Sequence, residues 1–135
     1  MSRLGLLRRP LEINEISGEI IDSAMRIHST FGPGLLESTY GLTLAHELRS
    51  RGLTVVTQVS LPLVYREMKL RDAYRLDMIV ENAVIVELKS VKKLHPIHEA
   101  QMLSYLKLSG LRLGLLINFN VVHLRDGVKR MVNGI

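Results

Sequence analysis

The strongest constraint on this chain is a pair of β-branched runs, Tyr74–Val80 and Val84–Val91, separated only by Glu81-Asn82-Ala83. So short a connection demands an antiparallel hairpin, and Asn82 suits it because asparagine tolerates the left-handed conformation that tight turns require. The second run is apolar at Val84, Ile85, Val86 and Leu88, on both faces of an alternating strand, which implies burial. Within it Glu87 and Lys89 point to one side and Val86 and Leu88 to the other. A three-residue loop sets Val80 opposite Val84 and so Asp77 opposite Glu87; a two-residue loop sets Glu87 opposite Met78 and parts the two acids.

The remaining elements follow from periodicity and punctuation. Ile13, Ile16, Ile20, Ala24 and Ile27 recur every three or four residues and predict an amphipathic helix. Gly32-Pro33-Gly34 interrupts it, and a second helix is expected from about Leu35 to Arg51, ended by Gly52. Residues 53–65, with Pro62 inside them, predict a bent strand or two short ones, and the polar stretch Met68–Asp72 is read as the turn closing a hairpin. Pro96 suits the first turn of a helix running to Ser109, with Gly110 as its terminator. Leu111–Asn118 reads as a buried strand and Val128–Val132 as a last short one. The sum is an α/β chain, a mixed sheet flanked by helices, in one domain over residues 13–135 behind a flexible tail at 1–12. No apolar run approaches the roughly 20 residues of a membrane span, and Leu4–Leu7 is too short for a signal-peptide core.

Composition narrows the chemistry. The chain has no cysteine, so a metal would need oxygen or imidazole ligands, and a reducing cytoplasm is the expected location. A net charge of +5 favours polyanions, while 4% aromatic residues and no tryptophan argue against base stacking as the main mode of recognition. Taken alone, Glu-x-Lys is the pattern of an ordinary salt-bridged strand face. Two carboxylates at about 5 Å in a buried strand pair, however, repel by roughly 3 kcal/mol at an effective dielectric of 20, a penalty that a cation removes. Hard oxygen ligands suit Mg²⁺ or Mn²⁺.

Asp77, then Glu87-Leu88-Lys89, then Gln101-x-x-x-Tyr105 on the following helix resembles the PD-(D/E)xK nuclease superfamily, with Leu76 where the motif proline would stand. Gly34-Leu35-Leu36-Glu37-Ser38-Thr39-Tyr40 is similar to the signature of the GxxExxY proteins, and the similarity runs from about residue 13 to the C-terminus. The resemblance implies a restriction-endonuclease-like core in which Asp77, Glu87, Glu37 and the Leu88 carbonyl hold the metal and Lys89 is the catalytic lysine. Gln101 and Tyr105, four apart on one helical face, would reach toward the metal or the nucleic-acid backbone.

Five further residues are candidates for substrate contact, each with an ordinary alternative: Tyr40 as a core tyrosine, His98 as a helix cap, Arg75 as a salt-bridge partner, and Lys92 and Lys93 as a solvated pair. The expected function is Mg²⁺-dependent hydrolysis of nucleic acid, DNA foremost. The alternative is a nuclease-fold module without catalysis that binds nucleic acid or a protein. So small a chain also suits a homodimer or a larger protein partner.

Overall fold

In the computed structural model, which describes residues 10–134, the tight reversal at Glu81-Asn82-Ala83 is built on two consecutive left-handed residues, Glu81 (φ 53°) and Asn82 (φ 50°). Glu81 is held there from both ends: its N–H donates to the Thr54 carbonyl at 2.8 Å and its carboxylate accepts from the Thr54 N–H at 2.6 Å. The loop therefore has three residues and Val80 pairs with Val84. This turn joins β2 (Met68–Val80) to β3 (Val84–Lys89); β1 (Val55–Tyr65) pairs antiparallel with β2. After β3, helix α3 (Pro96–Ser109) crosses over and returns the chain to β4 (Leu113–Asn118), parallel to β3, and β5 (Val128–Val132) closes the far edge antiparallel to β4. Strand order is β1-β2-β3-β4-β5. Helices α1 (Ile13–Phe31) and α2 (Glu37–Ser50) precede the sheet. The chain is thus a single small α/β domain, with a mixed five-stranded sheet and three α-helices among the described residues, the class that its sequence predicts.

The central strands are apolar on both faces because both faces are covered. Val84, Val86 and Leu88 pack with Ile16, Ile20, Ala24 and Ile27 of α1 and with Leu44 and Leu48 of α2. Ile85 points the other way, into a second cluster with Leu61, Leu76, and Met102 and Leu106 of α3. Arg51, just past α2, bonds to Glu47 and reaches back to Glu19 (3.0 Å) and Asp22 (2.8 Å) on α1, so it locks the two helices. On the other layer α3 sits so close to β4 that a Cβ on Gly114 would lie 2.3 Å from the Met102 sulfur.

Two boundaries differ from expectation. The first hairpin turns at Arg66-Glu67, with Tyr65 opposite Met68, so residues 68–72 are strand rather than turn. Their polarity is that of a solvated ribbon: from Met68 to Arg75 no side chain is buried. β1 is one strand, with its register shift between Leu61 and Leu63, where Pro62 stands. Of the expected tail, residues 1–9 lie outside the described residues, Leu11 packs against the core, and Glu12 accepts from the Glu15 backbone while its own N–H donates to the Glu15 carboxylate. Among the described residues no helix is long and apolar enough to cross a membrane.

Gly114→Ala forces the fully buried Met102 to move, and we expect a loss of about 1–3 kcal/mol, the usual cost of overpacking, in urea unfolding. An unchanged midpoint would show that α3 does not depend on this close approach.

Candidate active site

The β2–β3 ladder stops at Met78–Val86, one step short of the two acids. There the side chains take over from the backbone. Glu87 Oε1 accepts from the Asp77 N–H at 2.7 Å, and Asp77 Oδ2 accepts from the Leu88 N–H at 2.8 Å. The register is the one that sets Asp77 opposite Glu87, but strict alternation fails at this point. Leu76 belongs to the α3-side cluster and Met78, two residues on, to the α1/α2-side cluster, so the side-chain sequence slips by one face at Asp77. Across from it on β1, Gln58 is left-handed at φ 52°, between the pairs Thr57–Met78 and Val59–Leu76. An irregularity in the sheet thus aims Asp77, and its N–H joins it to the Glu87 carboxylate while its own carboxylate is held by the Leu88 N–H.

Burial makes this pair costly. Glu87 is only 8% exposed, and its carboxyl is pushed up to about 7, first by burial and then by the negative charge of Asp77; the Asp77 N–H and Lys89 pull the other way. Burial also raises Asp77, against the Leu88 N–H and Lys89. Glu37 adds negative charge to both. Each carboxylate of the pair spends one oxygen on a backbone N–H, which leaves the other as a hard donor. The pair therefore fits a divalent cation, which would relieve its repulsion. Among the described residues no three His, Asp or Glu side chains gather into a ready ligand set.

Glu37 opens α2 and its Oε1 accepts from the Ser90 N–H at 3.1 Å, just past Lys89. It ties the start of the helix to the end of β3. Tyr40 does not face substrate: it is fully buried, stacked on Phe119 at 4.1 Å, and its hydroxyl donates to the Gly32 carbonyl (2.5 Å) while accepting from the Leu35 N–H (3.2 Å). Its position three residues after Glu37 serves the loop that precedes α2, so the substrate-contact expectation is corrected in favour of a core tyrosine. An open groove of about 840 Å³ runs beside the acids between α2 and the sheet, lined by Leu36, Glu37, Gly41, Ala45, Gln58 and Asp77 among others.

On α3, Gln101 is exposed and Tyr105 half-buried, its ring edge-on to Tyr74 at 5.4 Å. Burial, and then the negative charge of Glu87, raise the pKa of the Tyr105 hydroxyl. His98 is a helix cap: its Nδ1 accepts from the His95 N–H at 3.1 Å, and His95 returns the bond to the His98 backbone. Burial and then Lys89 lower its pKa. Arg75, Lys92 and Lys93 are exposed.

Sequence reasoning missed Asn118. Buried at the end of β4, it accepts from the Val91 N–H (3.1 Å) and donates to the Val91 carbonyl (2.9 Å), and so clamps the segment that leaves β3. An amide closing an otherwise apolar run, Leu113-Gly-Leu-Leu-Ile-Asn118, was the available signal.

Residues 14–131 match the profile of the PD-(D/E)XK nuclease superfamily, and the chain belongs to it. Nucleases of that superfamily generally use divalent metals. Comparison with curated proteins and with solved structures gave no significant match.

Because the folded state raises the Glu87 pKa from 4.5 to about 7, this group's contribution is full below about pH 4.5 and is lost as pH rises through 7. In EDTA the native protein should therefore lose stability between about pH 5 and pH 8 relative to Glu87→Gln, by up to about 3 kcal/mol at 1.36 kcal/mol per pH unit. Parallel pH profiles of thermal unfolding would sink this account. Asn118→Ala should speed hydrogen exchange at the Val91 amide by at least about tenfold, the loss of roughly 1.4 kcal/mol from one buried amide acceptor, while exchange at the Ile20 amide in α1 stays comparatively slow.

Proposed function

We propose that this chain is a metal-dependent nuclease that hydrolyses phosphodiester bonds of nucleic acid, with DNA as substrate and the cytoplasm as its place of action. The observation that carries the reading is the pair of buried Glu87 and half-buried Asp77 beside Lys89, each carboxylate held by a backbone N–H of the β2–β3 hairpin, in a chain of the nuclease superfamily. The Gly34…Glu37…Tyr40 signature supports the narrower assignment to the GxxExxY proteins.

In this reading Asp77 and Glu87, with the Leu88 carbonyl beside them, are the metal ligands, and Glu37 is a third acid at the rim. A bound Mg²⁺ or Mn²⁺ supplies Lewis-acid charge for the phosphate and lowers the pKa of the attacking water. The chain's own residues do the rest. Lys89 holds its ammonium where negative charge gathers on the non-bridging oxygens and orients the water for in-line attack. Tyr105 and Gln101 present a hydroxyl and an amide from α3 toward the same phosphate. Arg75, Lys92, Lys93 and the half-buried His98 contact the flanking backbone. Glu37, by accepting from the Ser90 N–H, fixes the backbone next to Lys89.

The test is cleavage of plasmid, linear duplex, single-stranded DNA and RNA in Mg²⁺, Mn²⁺ or EDTA. We expect metal-dependent cutting of DNA by the native protein and a fall of about 100- to 1,000-fold in kcat for Lys89→Ala, the usual effect of removing one group that stabilises transition-state charge. Retained binding with no cleavage of any substrate would instead make the chain a noncatalytic nucleic-acid-binding module.

A further inference from the structure

The outer half of the β1–β2 hairpin has no place in the chemistry above. Beyond the pair Leu61–Tyr74 the two strands continue to their turn at Arg66-Glu67 without burying a single side chain. Ribbons of this kind are marginal in isolation, and here the ribbon displays large apolar groups: Tyr65 is 60% and Met68 52% exposed, and Leu70 is exposed as well. Alternation along β2 sets Met68 and Leu70 on one face and Lys69 and Arg71 on the other. Arg66, at the tip, stands over the Tyr65 ring at 5.4 Å. Among the described residues neither Lys69 nor Arg71 forms an ion pair within the chain, so these cations are available to an outside anion. Glu67 and Asp72 are the ribbon's acids, and with Arg75 at its base four cations face two acids, an excess of two positive charges in a chain of net charge +5.

We infer that this ribbon is a duplex-gripping arm: Arg66, Lys69 and Arg71 hold phosphates, and the apolar tip of Tyr65 and Met68 enters a groove. The inference rests on the nuclease reading above and adds to it a substrate class, double-stranded nucleic acid extending well beyond the bond that is cut. Charge selects a polyanion over an apolar protein surface, and an apolar face backed by cations suits an arm that enters a groove while its charges reach the flanking phosphates. Length sets the reach. Met68 lies nine residues before Asp77 on one strand, about 30 Å at roughly 3.3 Å per residue. That span corresponds to about nine base pairs at 3.4 Å per step.

The triple variant Arg66→Gln, Lys69→Gln, Arg71→Gln changes only exposed side chains and should leave the fold intact. Fluorescence anisotropy on a duplex of about 30 base pairs in EDTA should show the slope of log affinity against log salt falling by about 2.7, from three lost phosphate contacts at roughly 0.9 each. In Mg²⁺ the variant should keep the native kcat and raise KM at least about tenfold. Hydroxyl-radical footprinting should lose the protection about nine base pairs from the cut. An unchanged salt slope, or a native protein that does not bind duplex, overturns the arm. A native protein that cleaves nothing but shows the same change in slope retains the arm and defeats the nuclease reading alone. If the slope is unchanged and Met68→Ser turns a dimer into a monomer by light scattering, the ribbon is a self-association surface and the inference fails.

Discussion

The organisation of the site depends on one exchange of partners: where the β2–β3 ladder ends, two carboxylates replace backbone carbonyls as acceptors for the Asp77 and Leu88 N–H groups. A ladder that simply frayed there would leave donors unsatisfied in a buried sheet, at a cost of about 1–3 kcal/mol each. Satisfying them with side chains fixes the acids against the sheet and commits them to a geometry in which they repel. The same two bonds therefore complete the fold locally and create the charge imbalance that a cation would neutralise. Stability and chemistry meet at one pair of residues.

Around that pair the supports come from every layer. α2 contributes Glu37 to the Ser90 amide, β4 contributes Asn118 to Val91, and Tyr40 and Phe119 stack beneath the loop from which α2 starts. The left-handed Gln58 opposite Asp77 shows that the sheet itself is bent to the purpose. Irregularity of this kind is common where a strand must re-aim a side chain.

Much of this was legible in the chain. The turn Glu81-Asn82-Ala83 placed the hairpin, the spacing of Ile16, Ile20, Ala24 and Ile27 marked the buried face of α1, and Pro96 and Gly110 bounded α3; the choice between a two- and a three-residue loop was left to the structure. The rest was hidden for definite reasons. Residues 68–72 read as a turn because a solvated ribbon and a turn share the same polar composition. The slip of alternation at Asp77 depends on Gln58, a residue nineteen positions earlier with no local preference for positive φ. Tyr40 was ambiguous because a motif tyrosine near an acid is described equally well as a contact or as a core residue, and only its hydrogen bonds to Gly32 and Leu35 decide. Asn118 showed only as an amide closing an apolar run, and its role could not be read because its partner, Val91, lies at another strand's exit.

The Asn118 clamp also sets an order of assembly. A ribosome delivers Glu37, Asp77, Glu87 and Lys89 first, yet the segment that leaves β3 is not pinned until β4 has emerged and paired beside it. α3 must also form before β4 can cross over to that place. A nascent chain bearing all the acids thus lacks the architecture that holds them until β4 has emerged. Acids and clamp are separated in time as well as in sequence: the exit from β3 becomes rigid only once the chain has folded through β4.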